Sequence, residues 1–296
     1  MKKVLLAIAS VVMACGIGFA AVGCGSDGDI TVVSRTEGSG TRDAFMELIG
    51  LEDDQLFEDS SLQQETQNVI TTVSGNEKAI GYISLGSLNS SVKAINVGGV
   101  EATEDNIKSG AYSMARPFNL VWTVDNSSLN AAQTALRDDF LAFIMSTEGQ
   151  AVVSEEGYVT VSSEAYECSI TEAATIRVSG STSVAPLMSE LVTAYVAAVQ
   201  EAVSVTVTIN VEQGGSGVGI TDAQSGTSAF GMVSRELSDS EKSTFGEGTE
   251  TIAQDGIAIV VNNANPCTNL TVDQIKGIYE GSIRNWSDVG VTFSEE

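Results

Sequence analysis

Ile30-Thr31-Val32-Val33-Ser34-Arg35 runs straight into Thr36-Glu37-Gly38-Ser39-Gly40-Thr41-Arg42. A short apolar run, a glycine turn rich in hydroxyls and then Phe45, Leu48 and Ile49 at helical spacing predict strand, tight turn and amphipathic helix. The N–H groups of such a turn and of the first helical turn lack intrahelical acceptors and converge on one point, which suits an anion. Ser39 and Thr41 add hydroxyl donors, and Arg35 at the strand end can present its planar fork to two oxygens of a tetrahedral oxyanion. Glu37 is placed to pair with Arg35 and hold it. By itself the pattern also fits any tight strand-to-helix turn.

The pattern returns twice. Thr175-Ile176-Arg177-Val178 leads into Ser179-Gly180-Ser181-Thr182-Ser183, and then into a helix whose Leu187, Met188, Leu191, Val192, Tyr195 and Val199 share a face, with Pro186 in its first turn. Alternating Val205, Val207 and Ile209 lead into Gly214-Gly215-Ser216-Gly217-Val218-Gly219, which lacks the lysine of a nucleotide-binding loop. Repeated strand–turn–helix units at strand C-termini indicate an α/β protein that holds one oxyanion between separate turns.

The remaining chain supplies the frame. Ala79 to Leu85, Val92 to Val97, Ala229 to Val233 and Ile257 to Asn262 read as strands, Glu52 to Gln67 as polar surface, and Ala131 to Met145 and Ser146 to Ser154 as helices. Residues 162–173 read as a linker. Thr271 and Gln274 form a capping box for a helix closed by Gly281. Pro117 is poor in a central strand, so Arg116-Pro117-Phe118 is expected to cross between lobes.

Composition narrows the function. With 296 residues the chain can build two lobes, and 14 Lys+Arg against 39 Asp+Glu give a net charge of −25, which argues against a nucleic-acid partner. There is no histidine, so the usual general base and commonest metal ligand are missing; no catalytic residue, metal or cofactor is expected. Lys2 and Lys3 precede an uncharged apolar stretch from Val4 to Val22, ending at Gly23-Cys24. Ala21-Val22-Gly23-Cys24 resembles a bacterial lipobox, with Ala21 where Leu is usual, so residues 1–23 are expected to be a lipoprotein signal peptide and Cys24 the lipid attachment site. An uncleaved membrane anchor is the alternative, and both place the rest outside the cytoplasm. For Cys168 and Cys267, a disulfide and two separate thiols both stay open.

Nearly the whole mature chain resembles the substrate-binding protein of bacterial ABC-type phosphate transporters. The matching segments are ITVVSRTEGSGTRDAF, AIGYISLGSL, RPF, SGSTSVAPLM, GGSGVGI, FGMVSREL, QDGIAIVVN and LTVDQIKGIYEGSIRNWSDVG. The resemblance implies a two-lobed, type II periplasmic-binding-protein-like fold with a ligand cleft between the lobes. In that family the SGSTS-like half comes first, so this chain looks circularly permuted, with the family termini joined by residues 162–173. One lobe would be discontinuous, residues 29–116 plus 262–296, and the other continuous, residues 117–261, with crossings near Arg116-Pro117 and Val261-Asn262. Phosphate would be held by Arg35, Ser39, Gly40, Thr41, Thr182, Ser183 and Ser216, with Glu37 orienting the arginine. Ser234 stands where well-known members carry an aspartate that accepts the proton of hydrogen phosphate, which opens the question of sulfate. Arg235 beside it either pairs with Glu236 on the surface or faces the cleft, the surface reading being preferred.

The resemblance implies phosphate binding and delivery to ABC permease subunits by a monomer on a lipid anchor at the outer face of the cell membrane. The rivals are specificity for another oxyanion such as sulfate, a phosphate sensor or adhesion module, a metal-dependent phosphatase, and a domain-swapped dimer.

Overall fold

The computed structural model describes residues 29–124 and 127–293. The expected signal peptide and Cys24 lie outside the described residues. The first half comprises β1 (Thr31–Arg35), α1 (Gly40–Ile49), β2 (Ser61–Gln63), α2 (Thr66–Ser74), β3 (Ala79–Ser84), β4 (Val92–Val97), α3 (Glu104–Lys108), β5 (Ala115–Val121), α4 (Ala131–Ile144) and α5 (Thr147–Glu155). The second half adds β6 (Ala174–Gly180), α6 (Ala185–Val203), β7 (Val207–Gln213), α7 (Ser216–Gln224), β8 (Phe230–Val233), α8 (Asp239–Phe245), β9 (Thr249–Asn262), β10 (Asn269–Leu270) and α9 (Val272–Tyr279).

The fold is the expected two-lobed α/β type II arrangement. Strands run in the order β2-β1-β3-β9-β5-β8-β6-β7, with β4 also pairing β9 and β10 pairing β4. One apolar core gathers β1, α1, β3 and α9 around Phe45, whose ring stacks on Tyr82 at 3.9 Å; the other gathers α4, β6, α6 and β8 around Phe140 and Tyr195. Two adjacent antiparallel strands, β5 and β9, pass from one core to the other. Along β5 the crossing falls between Met114 in the first core and Phe118 in the second; along β9 it falls between Ala253 and Ile257. Pro117 pairs opposite Gln254 before β8 joins β5 at Asn119, so its missing N–H deprives no central ladder.

Several expectations change. Ile257 to Val261 pack in the first core and pair with β3, so β9 crosses around Asp255 and not at Val261-Asn262. The strand is also longer than its apolar end suggested, because Thr249 to Gln254 pair with β5. Within the polar stretch, Ser61–Gln63 adds a parallel strand beside β1, and Thr66 opens α2, whose buried face is Val69, Ile70 and Val73. Residues 162–173 are held down: Glu164 bonds to Met145 and Thr147, and the buried Asp139 accepts from Tyr166 Oη and from Ser169 N and Oγ. Cys168 and Cys267 are separate free thiols. The capping box at Thr271 and Gln274 forms as expected.

The two ends of the described chain meet. Ile30 N–H donates to Arg284 O at 2.8 Å, and Asp29 bridges to Asn285.

Candidate functional site: a cleft between the lobes

Arg35 closes β1 with its side chain almost wholly buried. Its backbone N–H donates to Tyr82 Oη at 3.1 Å, and that hydroxyl also bonds Ser34 Oγ. The guanidinium is steered by carbonyls: Nε donates to Gln63 O at 3.2 Å and Nη2 to Gln64 O at 2.8 Å, both on the chain leaving β2. Nη2 then crosses to Thr182 Oγ1 at 2.9 Å, while Nη1 reaches Thr66 Oγ1. Glu37 is exposed and makes no bond to Arg35, so the expected orienting role passes to the carbonyls of Gln63 and Gln64. Burial pulls the Arg35 guanidinium down to about 10, helped by the charge of Arg116 and opposed by Tyr82 and Glu65. A desolvated cation of this kind is compensated by an anion.

Three helices open onto the same space. Ser39 caps α1, accepting from Arg42 N–H. Gly215 precedes α7 at φ 91°, and its carbon skeleton lies so close to Gly38 O that a Cβ would sit 2.6 Å from it. The α6 end is formed by Ser181, whose Oγ accepts from Ser183 N–H and Val184 N–H. The lobes touch directly here: Gly217 N–H donates to Gly38 O at 3.2 Å, and Thr41 Oγ1 shares a hydrogen bond with Ser183 Oγ at 2.8 Å. Gly40 faces Ser216 Oγ and Ser234 Oγ so closely that any Cβ would collide with both. Ser216 Oγ accepts from Ser234 N–H, and Ser181 Oγ donates to Ser234 Oγ at 2.8 Å.

The expected residues thus come together from both halves of the sequence. Arg35, Ser39 and Thr182 line a cavity of about 140 Å³, with Gln213 to Gly215 on the far wall. Gly40, Thr41, Ser183, Ser216 and Ser234 form the closed seam beside it. Two participants were not singled out from the sequence. Ser181 lies within the quoted turn and is the hydroxyl that organises it. Arg116 donates from Nε and Nη2 to Asp255 Oδ2 at 3.0 and 2.9 Å, and from Nη1 to Ser234 O at 3.1 Å, tying both crossing strands to the seam. Asp255 Oδ1 accepts from Leu85 N–H; burial pushes its carboxyl up while Arg116 pulls it back. Arg235 also departs from expectation: it bonds Asp43 across the cleft as well as Glu241, and only the carbonyl of Glu236.

A cleft between two lobes, closed over a buried arginine and helix N-termini, defines a binding protein built to enclose a small anion. The PBP superfamily domain matches residues 19–148 and 168–295. The phosphate-binding protein PstS 2 of Streptococcus agalactiae is 39% identical over 302 residues, covering 97% of this chain and 99% of the relative. That of Streptococcus pneumoniae is 37% identical over 285 residues, covering 94% and 93%. The crystal structure of a phosphate ABC transporter phosphate-binding protein from Streptococcus pneumoniae matches with a TM-score of 0.67 and 38% identity, over 88% of this chain and 100% of that one. The chain belongs to the PstS family of phosphate-binding proteins, which are substrate-binding components of ABC transporters and not enzymes.

Proposed function

We propose that this protein binds inorganic phosphate in the cleft and delivers it to an ABC-type import permease. The observation that carries the reading is the convergence of Arg35 with the starts of α1, α6 and α7, from two lobes, on one space. Arg35 would supply charge and Thr182 and Ser39 would complete the cavity, while Thr41, Ser183, Ser216 and Ser234 would hold the lobes closed over the ligand. Charge-assisted hydrogen bonds contribute about 1.5–3 kcal/mol each, so several on one anion support a Kd at or below about 1 μM. Closure would present the permease with a shape distinct from the empty protein.

The relatives are extracytoplasmic, and the same location is proposed here, with a lipid on Cys24 as the anchor and a monomer as the working unit. Among the described residues no helix is long and apolar enough to cross a membrane. The segment order is read as a circular permutation of the family order. Two features support it: the superfamily domain matches in two blocks on either side of residues 149–167, which include the first part of the expected linker, and Asp29 lies against Asn285, where a continuous family chain would run on.

One observation favours a broader oxyanion specificity. The buried side chains that close the seam are hydroxyls, and Ser234 is among them, so among the described residues no buried carboxylate faces the space to reject a fully ionised anion. Calorimetric titration of phosphate-free protein with phosphate and then sulfate tests both readings. The phosphate reading expects tight 1:1 phosphate binding with weak sulfate binding. Equal affinity would make the protein a general oxyanion carrier, and binding of neither would overturn the assignment.

A further inference from the structure

Arg235 follows the last strand residues of β8 and Ser234, and its guanidinium is shared between the lobes. Nη1 and Nη2 form a fork on Glu241 of α8 at 2.7 and 2.9 Å, which fixes the side chain to its own lobe. Nε then reaches Asp43 in the first turn of α1 at 3.0 Å, on the opposite lobe. The side chains of Arg235, Glu241 and Asp43 are 15%, 18% and 33% exposed, so the bridge is partly desolvated and less screened than a surface pair. Asp43 lies in the same helical turn as Gly40 and Thr41, and Ser234 is the residue before Arg235. The bridge therefore spans the seam from the outside, against the residues that meet across it.

We propose that Arg235 is a positioning residue for phosphate binding, a preformed clasp that Glu241 aims and Asp43 receives when the lobes close. It makes no contact with the anion cavity. Its effect is on the closed state: the bridge exists only when α1 and the β8 end are within a hydrogen bond of one another, so it slows ligand escape without contributing to first capture. This rests on the proposed binding of phosphate in the cleft.

The test is stopped-flow and calorimetric measurement of phosphate binding to Arg235→Gln, Asp43→Asn and the double variant, beside Lys242→Gln, whose ion pair among the described residues is with Glu236. Either single variant is expected to dissociate phosphate about 2- to 5-fold faster, the upper part of the range for exposed pairs, with an unchanged association rate. The double variant is expected to match the singles, because both remove one interaction, and Lys242→Gln to behave as wild type. Unchanged dissociation in the singles, or additive effects in the double, would overturn the proposal. Small-angle scattering of the ligand-free proteins separates this from the functional reading. If wild type binds no phosphate the function falls, the closed arrangement is then the resting form of the protein, and the clasp stands on scattering alone: a larger radius of gyration in both single variants supports it, and an unchanged one rejects it.

Discussion

The two walls of the cleft are chemically unequal. The wall made by β1 and α1 brings a buried guanidinium, Arg35, held by main-chain carbonyls. The wall made by Ser181 to Ser183, α7 and the end of β8 brings neutral hydroxyls and N–H groups, many bonded to one another. One wall supplies charge and the other supplies shape. Placing the charge on one side lets a cation that burial disfavours gain its counterion on binding, while the neutral side measures size and geometry without a second desolvation cost.

The largest expected effect comes from removing the charge. Arg35→Ala should weaken phosphate binding by about 100-fold to 10,000-fold, the loss of two charge-assisted hydrogen bonds, read by calorimetry with circular dichroism to verify folding. A loss under about five-fold would mean that the walls are not unequal.

Preventing contact should come next. Gly40→Ala places a methyl group against Ser216 and Ser234. Overpacking of this kind costs about 1–3 kcal/mol, and here the strain exists only when the lobes meet. Phosphate affinity should fall about 5- to 100-fold while the unfolding midpoint without ligand stays near wild type. An equal fall in both would place the strain within a lobe.

On the neutral wall a single deletion should be modest. Ser234→Ala removes hydroxyl bonds to Ser181 and Ser216 and should cost about five-fold in affinity, near 1 kcal/mol. A loss as large as that of Arg35→Ala would erase the distinction between the walls.

The smallest effect concerns pH. Hydrogen bonding from Arg235 holds the Glu241 carboxyl below its ordinary value, against the pull of burial. A lowered folded-state value means that the stabilisation is fully present above the ordinary carboxylate range and is lost as pH falls through the folded value. In urea unfolding between pH 7 and the acid limb, wild type should therefore lose slightly more stability than Glu241→Gln. A variant with the same or a steeper slope would show that the pair is not linked to folding.

Much of this site was legible because its parts are local. A glycine turn after an apolar run reveals itself in a few residues, and the turns at Ser39, Thr182 and Ser216 all opened helices at the cleft. What escaped depends on partners far apart in the chain. Arg116 and Asp255 meet only because β5 lies beside β9, and Arg235 reaches Asp43 only when the lobes close, so neither pair has a spacing that could announce it. Glu37 misled for the opposite reason: nearness in sequence suggested a pair, but the turn points it to solvent and leaves carbonyls to hold Arg35. β2 has only three residues and a polar composition, and its place beside β1 is set by backbone pairing rather than by apolar pattern. The crossing of β9 was misplaced because its apolar run continues through the first core, which made the end of the run look like the boundary.

The proposed function places one oxyanion between the charged wall and the neutral wall. Diffraction from crystals grown with arsenate, a tetrahedral analogue of phosphate whose arsenic scatters anomalously, tests it most directly. A single strong anomalous peak within hydrogen-bonding reach of both Arg35 and Thr182 is the predicted result. An occupied site elsewhere on the molecule, with the cleft closed and free of arsenic, would contradict it.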